Sequence, residues 1–363
     1  MEWRYVDLKL EDPYTCMAVH EAVMKARGEN LVPNTLIHEM YNCKCIFIGY
    51  NQIPLEDLRL DVCKALNIKI VRRITGGGAG YMDPKQLNYA LVADERTPKV
   101  PMDVNLCYEI ICRSVVTGLQ YLGLNARYVP FSDVTVNDAK ISGNCQTRCN
   151  GVVLQHGSIL VNFDVNTMSK IIKDREEKLR ARGVVSPEKK VTWICKELGR
   201  EIDMESLKSS IKRGFENVFN IKLLQANLTD IELEYVKDLR KKYVSDEWVF
   251  GRPFVVPGAN AYAIHKTSNG LIRVLARIKG NLIKDILVDG DFILRPDYAI
   301  YELRDNLQNV NIRGDDIEKL VEDFFTKKNV EVVGVKPKDF TTAIIKAIKY
   351  FKSLSPTCLA LSK

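Results

Sequence analysis

Ile70-Val71-Arg72-Arg73-Ile74-Thr75-Gly76-Gly77-Gly78-Ala79-Gly80-Tyr81-Met82-Asp83 runs out of a β-branched strand pattern, through a glycine cluster, and on to a second strand at Asn88-Tyr89-Ala90-Leu91-Val92. That exit argues against a dinucleotide-binding βαβ unit, in which a helix follows the glycines. No Gly-Lys-Ser/Thr follows, so the cluster is not a P-loop. Three consecutive glycines are costly in backbone entropy and leave bare N–H groups that can approach phosphate oxygens. Arg72 and Arg73 at the entrance add charge-assisted donors for the same anion. A hairpin tip with solvated arginines is the competing reading, and the glycines alone do not choose between the two.

Around this cluster the periodicities alternate irregularly. Asp12-Pro13 caps a helix with Ala18, Val19, Ala22 and Val23 on its apolar face. Cys45 to Tyr50 reads as a strand, Leu55 to Leu66 as a charged helix, and Val104 to Leu122 as a longer one. Short strands follow at Val134-Thr135-Val136, Lys140-Ile141-Ser142, Val152-Val153-Leu154 and Ser158-Ile159-Leu160-Val161. Strands in hairpins interrupted by helices predict an α+β sheet rather than a doubly wound one. A charged helical stretch from Met204 to Lys242 ends the first domain, with the boundary expected near Ser245. The division is therefore 1–245 and 246–363, the latter a small α+β domain with a hairpin about Gly280-Asn281, its arginines and lysines alternating outward.

A chain of 363 residues exceeds one ordinary core, and 46% hydrophobic with 27% charged residues excludes extensive disorder. No apolar run reaches the roughly 18 residues of a membrane span, and the start lacks the plan of a signal peptide. The ten cysteines include no CxxC pair and no histidine at ligand spacing, so no metal site is expected; reduced cytosolic thiols are, with a cytoplasmic location. The net charge of +7 is spread thinly. A noncatalytic nucleic-acid-binding module would gather basic residues and aromatics on one face; the clusters Lys170 to Arg182 and Lys189-Lys190 have few aromatics and read as helix surface.

Two further segments carry candidate chemistry. In Ser132-Asp133-Val134-Thr135-Val136-Asn137-Asp138-Ala139-Lys140-Ile141-Ser142-Gly143-Asn144, Asp133 and Lys140 lie on strands joined by a turn at Asn137-Asp138. Most lysines just past a turn are solvated. Ile141 and the small Ser142-Gly143 instead suggest a strand packed on a ligand, where a lysine stabilises an oxyanion or a phosphate. In Gln155-His156-Gly157-Ser158, His156 is expected to orient rather than catalyse, because no nucleophile stands obviously beside it.

Together these segments resemble the lipoate–protein ligase family, with its Arg-Arg-x-Ser/Thr-Gly-Gly-Gly-Ala loop, its Asp before a turn and Lys-Ile/Val-Ser-Gly, and its His-Gly-Thr/Ser-Ile/Leu-Leu. Gly49-Tyr50-Asn51-Gln52 begins the match, and Ala181-Arg182-Gly183-Val184 resembles the family's nucleotide-covering loop. Trp248 to Phe254, the Gly280 hairpin and Gly290-Asp291-Phe292 resemble its accessory C-terminal domain. The resemblance implies a biotin/lipoate ligase-like catalytic domain with a mixed sheet. It implies an ATP-dependent lipoate–protein ligase, which forms lipoyl-adenylate from ATP and lipoate and then transfers the lipoyl group to a lysine. The acceptor would be a lipoyl domain, either a 2-oxoacid dehydrogenase acyltransferase subunit or the glycine-cleavage H protein. Magnesium is expected, without assigned ligands.

Carried over by position, Arg73, Gly76, Gly77, Gly78, Ala79, Gly80 and Tyr81 would hold the nucleotide. Lys140 would bridge the lipoate carboxyl and the α-phosphate, and Asp133 and His156 would shape the lipoate pocket. Strand residues such as Ile46 to Ile48 would line an apolar slot. Ser132 replaces the usual asparagine, Cys145 stands where alanine is common, and Cys149 has no assigned role.

The alternative is an octanoyltransferase of the same fold, which moves an octanoyl group from acyl carrier protein through a cysteine thioester without ATP. One such branch places its cysteine upstream of Val134-Thr135-Val136, where the interval from Tyr121 to Thr135 has none. Cys145 is then the candidate nucleophile. The two-arginine glycine loop and the tail favour the ligase.

Overall fold

Two tight turns fix the strand on which the site is built. Asn137 and Asp138 both have positive φ, as do Asn150 and Gly151, the type I′ combination that suits a two-residue hairpin. Between them runs β9 (Ala139–Cys149), paired with β8 (Asp133–Val136) on one side and β10 (Val152–Ile159) on the other. The computed structural model describes residues 2–130, 132–173, 191–251, 256–267, 271–296 and 298–353. The Ala181 to Val184 loop and Lys189-Lys190 lie outside them, as do parts of the Lys170 to Arg182 and Trp248 to Phe254 stretches.

The chain divides into two units. The first is organised on an eight-stranded mixed sheet of order β11-β1-β2-β6-β10-β9-β8-β7. Besides the three strands named, it contains β1 (Glu2–Glu11), β2 (Thr35–Tyr41), β6 (Leu87–Asp94), β7 (Ala126–Val129) and β11 (Lys222–Gln225). β1 pairs in parallel with β2 and β11, and the other pairings are antiparallel. A smaller sheet joins β3 (Cys45–Ile48), β4 (Lys69–Arg72) and β5 (Gly80–Met82).

Helix α1 (Pro13–Gly28) packs on β6 and β10. Its start follows from the sequence: Asp12 accepts the Thr15 amide, and Pro13 occupies the first turn. On the opposite face Gln155 reaches Cys112 of α2 (Val104–Tyr121), which packs against α3 (Met204–Phe219). Helix α4 (Asp230–Val244) covers α1 and carries Glu232, whose buried carboxyl accepts two bonds from Arg4 at 2.8 and 2.5 Å.

The helix expected from Leu55 to Leu66 is broken into Pro54–Asp57 and Leu60–Ala65. Leu58 instead forms a bridge with Ile172, and the Arg59 amide donates to the Ile171 carbonyl. Ile46 and Ile48, expected to line an apolar slot, lie buried in an apolar cluster with Leu58, Tyr81, Leu160 and Phe163.

The second unit gathers Phe250–Lys363 with two short segments from far upstream, Gly49–Ile53 and Gly76–Gly78. Its sheet is β12 (Ala261–Lys266), β13 (Leu271–Lys279) and β14 (Leu282–Gly290). A core about Phe292, Phe325, Phe340 and Ile344 lies beneath its helices. Arg273, expected to face outward, is buried and paired across the strands with buried Asp289.

Candidate active site

The β8–β9 register brings three site residues to one face. Gly143 stands opposite Asp133 and Ser142 opposite Val134; then the register slips and Lys140 stands opposite Thr135. This bulge adds one residue to β9 and so turns Lys140 to the face of Gly143 and Cys145, which simple alternation would have denied it. A Cβ built on Gly143 would lie 2.6 Å from Lys140 Cε and 2.8 Å from Nζ, so the ammonium arches over this glycine. Lys140 Nζ lies 2.6 Å from Asp133 Oδ1, with both side chains a little over one-third exposed. The Thr192 amide, on a segment returning alongside, donates to the Lys140 carbonyl.

Across the next pairing Cys145 stands opposite His156, and Gly143 opposite Ser158. Paired residues share a face with Cβ atoms about 4.5–5.5 Å apart, so the histidine has a thiol beside it. Local sequence does not reveal this, because the two are eleven positions apart and joined only through register. Arg73 completes the group: its Nη2 lies 3.5 Å from Cys145 Sγ, and its Nε donates to Thr75 Oγ1 at 3.2 Å. Thr75 Oγ1 in turn lies 2.8 Å from His156 Nε2. The hydroxyl has one proton and two lone pairs, so it can accept from arginine and share a second bond with this nitrogen, which links the histidine to Arg73 through a single oxygen. Burial, with His20 and Arg73 nearby, holds His156 well below the usual histidine range.

Cys145 differs from the thiols of the interior. Burial pushes the thiols of Cys16, Cys45, Cys107 and Cys112 up, which makes them poor nucleophiles. Cys145 is half-buried, and its sulfur lies beside the Arg73 guanidinium. Cys149 is exposed at the end of β9.

Other residues of the anticipated nucleotide site are placed differently. Arg72 is buried and donates to the carbonyls of Trp248 and Val249, so it anchors backbone rather than an anion. Gly76, Gly77 and Gly78 belong to the second unit. A Cβ on Gly76 would come within 2.5 Å of the Phe292 carbonyl, and the Gly77 amide donates to that oxygen. The bare backbone of these two glycines is thus used by polypeptide. Ala79 packs against the Ile46 cluster, Gly80 begins β5, and Tyr81 is buried with its ring against Phe163. Asp133, Lys140, Cys145, His156, Arg73 and Thr75 are brought together; the glycines and Tyr81 are not part of that group.

Two residues escaped the sequence reading. His20 of α1 lies edge-on to His156 with ring centroids 5.3 Å apart, and its Nε2 is 3.1 Å from Glu39 Oε2. A histidine between Val19 and Ala22 on a buried helical face was the available signal. Among the described residues no cluster of three metal-ligating side chains occurs, and no helix is long and apolar enough to cross a membrane.

The sequence profile of the Lipoyl protein ligase A/B catalytic domain matches residues 12–216, and that of the Bacterial lipoate protein ligase C-terminus matches residues 257–344. Octanoyltransferase LipM of Clostridioides difficile is 33% identical over 266 residues, covering 68% of this chain and 98% of that protein. The Geobacillus kaustophilus octanoyltransferase LipM is 32% identical over 274 residues, covering 69% and 98%. Among solved structures, the bipartite lipoate protein ligase of Thermoplasma acidophilum aligns with a TM-score of 0.62 at 27% identity, over 70% of this chain and 100% of that one. P. falciparum LipL1 in complex with lipoate aligns with a TM-score of 0.70 at 17% identity over 96% of this chain and 99% of that one, a likeness of fold. The expectation of an ATP-dependent, lipoyl-adenylate-forming ligase is overturned by the relatives, which are octanoyltransferases.

Proposed function

The chain belongs to the lipoate–protein ligase family, and from that premise we propose that it transfers an octanoyl or lipoyl group through a thioester on Cys145, without ATP. The observation that carries this reading is the cross-strand pair Cys145–His156 with Arg73 on the sulfur. With no cysteine between Tyr121 and Thr135, the nucleophile falls to Cys145.

The Cys145 sulfur attacks the carbonyl carbon of an acyl thioester carried by acyl carrier protein. A new C–S bond forms as the carrier's C–S bond breaks, and the carrier thiolate leaves and takes up a proton. The ε-amine of an acceptor lysine on a lipoyl domain then attacks the Cys145 thioester. An amide forms, the amine loses its proton, and the Cys145 thiol is restored. Arg73 supports negative charge on sulfur before attack and as it leaves in the second step. Lys140, on the same face, supplies a fixed cation for the oxygen of each tetrahedral intermediate. His156, neutral and bonded to Thr75, holds the hydroxyl that steadies Arg73.

The test is octanoyl transfer from octanoyl-acyl carrier protein to a lipoyl domain, read by the mass of the acceptor, with and without ATP. Equal rates, abolished by Cys145→Ala, are expected. Transfer that requires ATP and releases pyrophosphate, or that survives Cys145→Ala, overturns the proposal.

A further inference from the structure

Behind His156 lies a buried pair with no part in the chemistry just described. His20 and Glu39 are 1% and 0% exposed, on α1 and β2 respectively. Glu39 also accepts the Tyr41 hydroxyl at 2.9 Å on Oε1, while Oε2 faces His20 Nε2. Its carboxyl therefore has partners on both oxygens, and the imidazole plane is fixed by one of them. The ring edge meets the His156 ring at 79°. His20 Nδ1 is buried without a hydrogen-bond partner among the described residues, a cost that packing alone does not require of a helix face. An apolar residue there would avoid it.

Following the contacts outward gives one line: Glu39 to His20, His20 to the His156 ring, His156 Nε2 to Thr75, Thr75 to Arg73, and Arg73 to Cys145. Every member except Cys145 is buried, so each has little freedom to take another rotamer. The titratable and charged groups facing this line are Cys16 on α1, Glu39 and Tyr41 on β2, and Arg73 and Cys145 at its outer end.

We propose that His20 and Glu39 are positioning residues for acyl transfer: the carboxyl fixes the His20 ring, and that ring holds His156 so that Thr75 and Arg73 stay on the Cys145 sulfur. The inference rests on the Cys145 transfer reading. Neither residue touches substrate, and both act through His156.

The experiment uses the full-length protein with Glu39→Gln, and with His20→Gln, which keeps a donor for Glu39 while removing the ring. Three readouts are taken on folded protein. The first is kcat and KM for octanoyl transfer. Next is the rate of Cys145 alkylation by iodoacetamide, followed by mass spectrometry of its peptide. Last is the spectrum of isotope-labelled histidine, simple because the chain has four. In each variant kcat is expected to fall about tenfold to a hundredfold with KM within about twofold. Alkylation slows several-fold, and the single set of His156 ring signals shifts and gives way to a mixture. A folded variant of either kind with unchanged His156 signals and unchanged Cys145 alkylation overturns the proposal. If the wild type shows no acyl transfer at all, the transfer reading alone fails, and the spectrum and alkylation still decide this one.

Discussion

Replacing Lys140 by methionine separates what the side chain does for stability from what it does for chemistry. Methionine keeps the apolar stem over Gly143 and removes the ammonium. The lost ion pair with Asp133 spans 2.6 Å, but its partners are 38% and 36% exposed. Water screens such a pair, so its removal costs about 0–1 kcal/mol. For a unit of this size that lowers the melting temperature by at most about 4 °C. The catalytic loss is larger, because a positioned cation or donor on a developing oxyanion is worth about 100- to 1,000-fold in kcat, or about 2.7–4 kcal/mol. Octanoyl transfer to a lipoyl domain, followed by acceptor mass and set beside thermal unfolding of the same preparation, reads both effects. A variant that transfers within threefold of wild type would refute the role given to Lys140. So would one whose activity loss merely tracks unfolding.

Two glycines of the same hairpin should behave oppositely. In Gly143→Ala the new methyl meets only the flexible end of Lys140, so activity falls while the melting temperature holds. In Gly157→Ala it would lie 2.0 Å from Asn144 Oδ1 and 2.9 Å from the Gly143 carbonyl, so folding suffers, which circular dichroism would show. Cys149→Ala, at the exposed end of β9, should leave octanoyl transfer within twofold of wild type; a larger loss would give Cys149 a role in the reaction. Arg4→Met strands the Glu232 carboxyl and should cost about 3–5 kcal/mol in urea unfolding at neutral pH. Burial alone would raise Glu232, but the Arg4 and Thr229 hydrogen bonds outweigh it and hold the group below the usual range. The stability it contributes is therefore present above the unfolded value of about 4.3 and lost as pH falls through the folded one. The gap between wild type and Arg4→Met should accordingly narrow in acid; a constant gap would contradict the assignment.

What was legible in the sequence was mostly local. Asp12-Pro13, Asn137-Asp138 and the strand leaving the glycine cluster announce a cap, a turn and an α+β sheet through backbone preferences that need no tertiary partner. Residues whose meaning depends on register were harder. Lys140 faces the site only because one residue of β9 is bulged, and Cys145 meets His156 only through the pairing of β9 with β10. Gly76 and Gly77 show the converse failure. Bare backbone signals close approach by something, and sequence cannot tell a phosphate from the Phe292 carbonyl. Arg73 and Arg72 are adjacent and alike, yet one touches a thiol and the other the carbonyls of Trp248 and Val249. Glu39 and His20 left almost no trace, since a buried polar pair on separate elements looks in sequence like two ordinary polar residues.

The claim on which the mechanism stands is that an acyl group rests covalently on one sulfur. Mixing the protein with octanoyl-acyl carrier protein, with neither ATP nor acceptor present, and quenching in acid before peptide mass analysis tests it directly. The account predicts an octanoyl adduct on the Cys145 peptide that neutral hydroxylamine removes and a lipoyl domain consumes. An unmodified Cys145 peptide, under conditions where the same protein modifies the acceptor, would contradict it.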